Sequence, residues 1–122
     1  TFDVVLALEV LEHVDDPASF LAACAARVKP GGILITSTLN RTAKSFALAI
    51  IGAEYILRWL PKGTHEWQKF IKPSEMAGWM RDSGLHPAQT QGLIYNPITK
   101  RFSIHPHDVD VNYFMLGNKP LS

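Results

Sequence analysis

The sequence predicts an α/β fold built on parallel strands, on three observations. Within Phe2–His13, FDVVLALEVLEH, apolar residues run almost unbroken from Val4 to Leu8 and end abruptly in polar ones, as in a strand covered on both faces. Pro17–Val28 then carries apolar residues at helical spacing. Ile33–Leu39 follows as an alternating, β-branched stretch. Strand, helix and strand in such short order make a βαβ unit, whose two strands lie parallel.

Bulk properties set the scale. A chain of 122 residues holds one domain with a modest core. A net charge of +1 with 47% hydrophobic residues describes an ordinary globular chain and gives no electrostatic footing for a nucleic-acid partner. The single cysteine, Cys24, allows no internal disulfide, and its setting in LAACAAR suits helix packing better than a reactive thiol.

Each element has a local cause. Asp16 reads as the helix N-cap and Pro17 as the first helical residue. Phe20, Leu21, Cys24 and Val28 form the expected apolar stripe, and Lys29-Pro30-Gly31-Gly32 is the stop signal. Thr36–Asn40 closes the second strand and should border the same crevice as Glu9 to His13. Asn40 reads either as a cap for the next helix or as a substrate contact.

Residues 41–61 are more unusual. Phe46–Ala53 is wholly apolar or glycine, and Glu54 and Arg58 then stand four apart, able to pair on a helix. The apolar part is too short and its charges too central for a membrane-spanning helix. A buried core helix and an interfacial helix are both compatible with this pattern. His65 lies in the loop that follows. Pro73–Ser83 reads as a helix ended by Gly84, with Met76, Trp79 and Met80 packing on the sheet. Leu85–Tyr95 and Val109–Leu116 are the expected last strands. The link between them, with His105-Pro106-His107, reads as exposed loop rather than a metal site.

The chemistry concentrates at the end of the first strand. Ligands in open parallel sheets sit beyond the carboxyl ends of the strands. Glu9, Glu12 and His13 fall there within five residues. Two carboxylates and an imidazole suit magnesium, manganese, iron or zinc. A histidine that merely shapes a cofactor pocket is the alternative that spacing leaves open.

The stretch FDVVLALEVLEHVDDP also resembles the fourth strand and following loop of class I S-adenosylmethionine (SAM) methyltransferases. STLNRTAKS, IIGAEYILRWLPKGTH, KFIKPSE, GLIYNPITKRF and DVNY narrow the resemblance to the ubiquinone biosynthesis O-methyltransferases, over nearly all of the chain. The resemblance implies that residues 1–122 are the C-terminal part of a single Rossmann-like methyltransferase domain, its sheet mostly parallel with a final antiparallel strand. The glycine-rich SAM loop and the ribose-binding acid would precede Thr1. It further implies that Glu9, Glu12 and His13 bind a divalent cation, magnesium first and zinc or manganese as alternatives. Leu8 would contact SAM, and His65 or His13 would take the substrate proton. The implied substrates are the polyprenylated catechols 3-polyprenylbenzene-1,2-diol and 3-demethylubiquinol. Residues 41–71 would be an inserted helix and loop that meets the membrane lipid surface. The expected location is cytoplasmic, peripheral on the inner face of the inner membrane, or the matrix side in a mitochondrion. Other ubiquinone-biosynthesis proteins are further implied partners. Two other readings stand beside this one: a methyltransferase for another small phenol, and a non-catalytic membrane-docking module.

Overall fold

The structure, a computed structural model, describes residues 1–42, 44, 67–96, 98–99 and 101–121. Among the described residues five strands form one sheet: β1 (Phe2–Leu8), β2 (Val28–Leu39), β3 (His86–Asn96), β4 (Arg101–His105) and β5 (Asn112–Asn118), in the spatial order β1-β2-β5-β3-β4. β1 and β2 pair in parallel, with Leu8 opposite Ser37. The last strand, β5, inserts antiparallel between β2 and β3, so β1, β2 and β3 share one direction. That is the expected arrangement, with one addition. Arg101–His105 is not loop but an edge strand, antiparallel to β3.

Helices α1 (Pro17–Arg27) and α2 (Pro73–Asp82) pack on the sheet and on each other. Asp16 caps α1 as expected: its carboxylate accepts from the Ser19 N–H at 3.2 Å and from the Ser19 hydroxyl at 2.7 Å. These two donors hold the Asp16 carboxyl below its usual range. The buried stripe of α1 differs from the expected one. Leu21, Ala25 and the following Val28 face the core, Cys24 packs partly against it, and Phe20 is exposed. Spacings of four and three put residues 21, 25 and 28 on one line, and Phe20 falls to its side.

The helix stops one residue earlier than Lys29-Pro30 suggests, because Val28 already pairs with Phe2 in the sheet. A register shift between Phe2 and Val4 then accommodates the Pro-Gly-Gly stretch inside β2 rather than before it. At the far side, the Lys72 N–H donates to the Glu75 carboxylate at 2.9 Å and starts α2. Gly84 ends it at φ +82, a left-handed turn that glycine takes without steric cost. Met76 and Met80 are fully buried and Trp79 packs partly against the same core, as the sequence suggests.

The two ends of the inserted stretch meet at one place. The Ile71 N–H donates to the Leu39 carbonyl at 2.9 Å, and the Arg41 guanidinium reaches the Phe70 carbonyl and the Glu75 carboxylate. Tyr113, fully buried, donates its hydroxyl to the Ile71 carbonyl at 2.7 Å, and burial pushes its phenol pKa up. Of the inserted helix and loop expected over residues 41–71, the apolar run Phe46–Ala53, Glu54, Arg58 and His65 lie outside the described residues. Among the described residues no helix is long and apolar enough to cross a membrane.

Candidate active site

The carboxyl ends of β1 and β2 gather a polar cluster that the core would otherwise exclude. Ser37, Thr38, Asn40 and Glu12 are all buried there. Buried polar groups are tolerated only when hydrogen-bonded, and these are. Asn40 donates its amide to the Val109 carbonyl at 2.8 Å and its backbone N–H to the Val111 carbonyl at 2.6 Å. Its side chain therefore ties β2 to the segment before β5.

Glu9 leaves β1 in the left-handed region, at φ +54, the single non-glycine residue with positive φ among those described. An L-residue there is strained by about 1 kcal/mol or more. Its backbone N–H is held by both the Ser37 carbonyl at 2.8 Å and the Ser37 hydroxyl at 3.2 Å. Residues 11–13 then form a single 3-10 turn that swings Glu12 inward. Glu12 is buried, with the Thr38 hydroxyl donating to its Oε2. Glu9 Oε1 accepts from the Asn112 amide at 2.9 Å, across the sheet from β5.

The Glu12 carboxyl is a close enough neighbour for its charge to bear on that of Glu9. Burial of the Glu9 carboxyl, then the neighbouring Glu12 charge, pushes its pKa up to about 7, against hydrogen bonds from Asn112 and Ser37 that pull it down. Residue 9 is exposed as a whole; its carboxyl end is the part set among neighbours. His13 Nε2 stands 3.6 Å from Glu12 Oε1, with half of its side chain exposed.

Of the residues singled out by the sequence, the fold brings Glu9, Glu12 and His13 to one edge and sets Leu8 beside them, partly exposed. His65 lies outside the described residues. Hard oxygen donors in a pair fit a hard divalent cation. Among the described residues, however, no group of three acidic, histidine or cysteine side chains converges closely enough to enclose one. His105 does not join any such group: its Nδ1 accepts the backbone N–H groups of His107 and Asp108, at 3.1 and 2.9 Å, which closes the loop after β4. Thr38 and Asn112 are the residues that sequence reasoning did not single out. A signal existed for Thr38, since TSTLN is unusually polar for a strand inside a sheet.

A family profile described as a methyltransferase domain matches residues 1–90. The chain belongs to the methyltransferase domain family. Curated relatives of this methyltransferase chain include the ubiquinone biosynthesis O-methyltransferase of Hahella chejuensis, 56% identical over 99% of the chain and 50% of the relative. That of Saccharophagus degradans is 54% identical over 98% of the chain and 50% of the relative. The chain thus spans about half the length of the curated relatives it matches. Among solved structures, a SAM-dependent methyltransferase from Thermotoga maritima aligns with a TM-score of 0.70 at 20% identity, over 97% of this chain and 56% of the other. Magnesium protoporphyrin IX methyltransferase from Synechocystis, with bound SAH, aligns with a TM-score of 0.63 at 16% identity, over 98% of this chain and 45% of the other. These similarities identify the fold as the Rossmann-like methyltransferase type.

Proposed function

We propose that this chain forms the substrate and acid-base side of an enzyme that methylates a catechol hydroxyl of polyprenylated ubiquinone precursors, with SAM as donor. The observation that carries this reading is the Glu9–Glu12 carboxyl pair at the carboxyl edge of β1 and β2, where the fold places ligands. Relatives named for ubiquinone biosynthesis, similar over nearly the whole chain, support the substrate class.

The chemistry asks for what the pair offers. A phenol, like tyrosine, has a pKa near ~10 and is mostly protonated at neutral pH. Its anion is the nucleophile that attacks a sulfonium methyl. A divalent cation, magnesium first, would supply Lewis acidity to the adjacent ring oxygens and lower that pKa. Glu9 and Glu12 would hold it, and the His13 imidazole would have to move in from beside Glu12 to serve as third donor. Leu8, one residue before Glu9, would border SAM. The strained turn at Glu9 presets the carboxyl before substrate arrives, which lowers the orientational cost of the reaction.

A second reading is favoured by one specific observation. A carboxyl at about 7 is already in the range of a general base near neutrality. Glu9 would then take the catechol proton directly, with no cation. Chelation separates the two: methyl transfer to a short-tailed catechol by the full-length protein should stop in chelator and return with magnesium. Unchanged turnover in chelator would leave Glu9 as the base.

The inserted stretch, residues 41–71, is proposed as the contact with the lipid surface that holds a polyprenyl tail, on the inner face of the inner membrane. Its support is the apolar run Phe46–Ala53 with basic residues at its margins. Full-length protein should co-sediment with anionic liposomes, and replacing Ile50 and Ile51 with glutamate should release it. Equal sedimentation of parent and variant would end the membrane role.

A further inference from the structure

We propose that Asn112 and Thr38 are positioning residues for the acidic pair, each fixing one carboxylate without neutralising it. The proposal rests on the reading of Glu9 and Glu12 as the working groups of the site and names what holds them there. Asn112 Nδ2 donates to Glu9 Oε1 at 2.9 Å, from a residue 103 positions away. The Thr38 hydroxyl donates to Glu12 Oε2, and Thr38 itself has no exposed surface. Each donor thus engages one oxygen of a different carboxylate. Glu12 Oε1 is the oxygen that faces the His13 ring.

The kind of donor matters as much as its place. Neighbouring carboxylates repel, and the ordinary structural remedy is a lysine or arginine between them. Here the donors to the carboxylates from β2 and β5 are the Thr38 and Ser37 hydroxyls and the Asn112 amide, all neutral. Neutral donors fix geometry and leave the negative charge available to a cation or a proton. The register supports a shared purpose. Asn112 sits opposite Leu39 and Tyr113 opposite Thr38, so the two donors occupy adjacent rungs of the β2–β5 ladder. They flank the strained turn at Glu9 from the strand beside it and the strand beyond.

Thr36 provides the internal contrast. It is a threonine two residues earlier on β2, equally buried, yet its hydroxyl donates to the Met115 carbonyl at 3.2 Å. Burial alone therefore does not send a threonine hydroxyl on this strand to a carboxylate.

The test uses the full-length protein with Thr38→Val, Thr38→Ser, Asn112→Ala and Thr36→Val. SAM affinity, methyl transfer to a soluble catechol and binding of Mn²⁺, read by the electron paramagnetic signal of the free ion, are measured for each. Loss of an outer hydrogen bond of this kind lowers metal affinity or activity about 10- to 100-fold. Thr38→Val and Asn112→Ala should show that loss in kcat with SAM affinity kept, while Thr38→Ser recovers and Thr36→Val never falls. If the parent binds Mn²⁺, the same two variants should weaken that binding by a similar factor. Should the parent bind no Mn²⁺ while kcat still falls and Thr38→Ser still recovers, positioning stands and the cation reading fails. Wild-type turnover in Thr38→Val and Asn112→Ala, or an equal loss in Thr36→Val, overturns the proposal.

Discussion

The two ends of β2 treat polar groups in opposite ways. At its amino end they close on backbone. Lys119 donates its ammonium to the Ala25 carbonyl at 3.1 Å and the Val28 carbonyl at 2.7 Å, where α1 runs out of partners. The backbones of Lys119, Gly31 and Gly32 bond to one another beside it. At the carboxyl end, the buried Thr38 hydroxyl turns to a carboxylate, a second carboxyl lies close by, and Glu9 is held at positive φ. One end relieves its unpaired groups with a complementary charge. The other brings like charges together and holds them with neutral donors. Stability and chemistry are thus separated along a single strand, and each end should answer to a different substitution.

The largest expected effect is at Glu9. Glycine adopts φ +54 freely, so Glu9→Gly should leave stability unchanged or raise it by about 1 kcal/mol. Turnover of the full-length enzyme should fall by about 100-fold or more, since the carboxyl proposed to hold the cation or take the proton is gone. Parallel thermal melts and rate measurements check this divergence. At the opposite end, Lys119→Met should cost about 2 kcal/mol, because two carbonyls lose a charged donor. Turnover per folded molecule should not change, and denaturant melts alongside initial rates decide it. Smaller still, Thr36→Val should cost about 1 kcal/mol through its lost hydrogen bond to Met115, with kcat intact.

The subtlest prediction concerns pH. Burial and the neighbouring Glu12 charge raise the folded Glu9 carboxyl to about 7, from an ordinary 4.5. Between those values the folded state binds more protons than the unfolded, so stability falls as pH rises. Below 4.5 both states are protonated, and above 7 both are ionised, so the slope vanishes outside that window. Melts of cation-free protein across the window should show the decline, and Glu9→Gln should flatten it.

What could be read in advance follows from what is local. The end of β1, the Asp16 cap and the Gly84 stop depend on neighbours within a few residues, and these expectations hold in the structure. Glu9, Glu12 and His13 share a turn, so their proximity too is a local property. β4 escaped notice because all five of its residues are exposed, which removes the burial contrast that marks a strand. Only Phe102 and Ile104 alternate there, beside a histidine-proline sequence that resembles a loop. Phe20 was misplaced because helical spacing defines a stripe but not which neighbouring line meets the sheet. The bonds from Thr38 and Asn112 span 26 and 103 residues, and no periodicity reports a contact at that range. Only the sheet order, with β5 returning beside β2, brings Asn112 to Glu9.

The central claim is that the carboxyl pair at the end of β1 does the chemistry. The direct measurement is methyl transfer from SAM to a soluble catechol by full-length protein carrying Glu9→Gln and Glu12→Gln together, with SAM binding followed in the same samples. Both glutamines keep shape and hydrogen bonding while removing charge. The account predicts SAM affinity near that of the parent and turnover lowered by about 100-fold or more. Turnover at the parent rate, with neither carboxylate present, would contradict it.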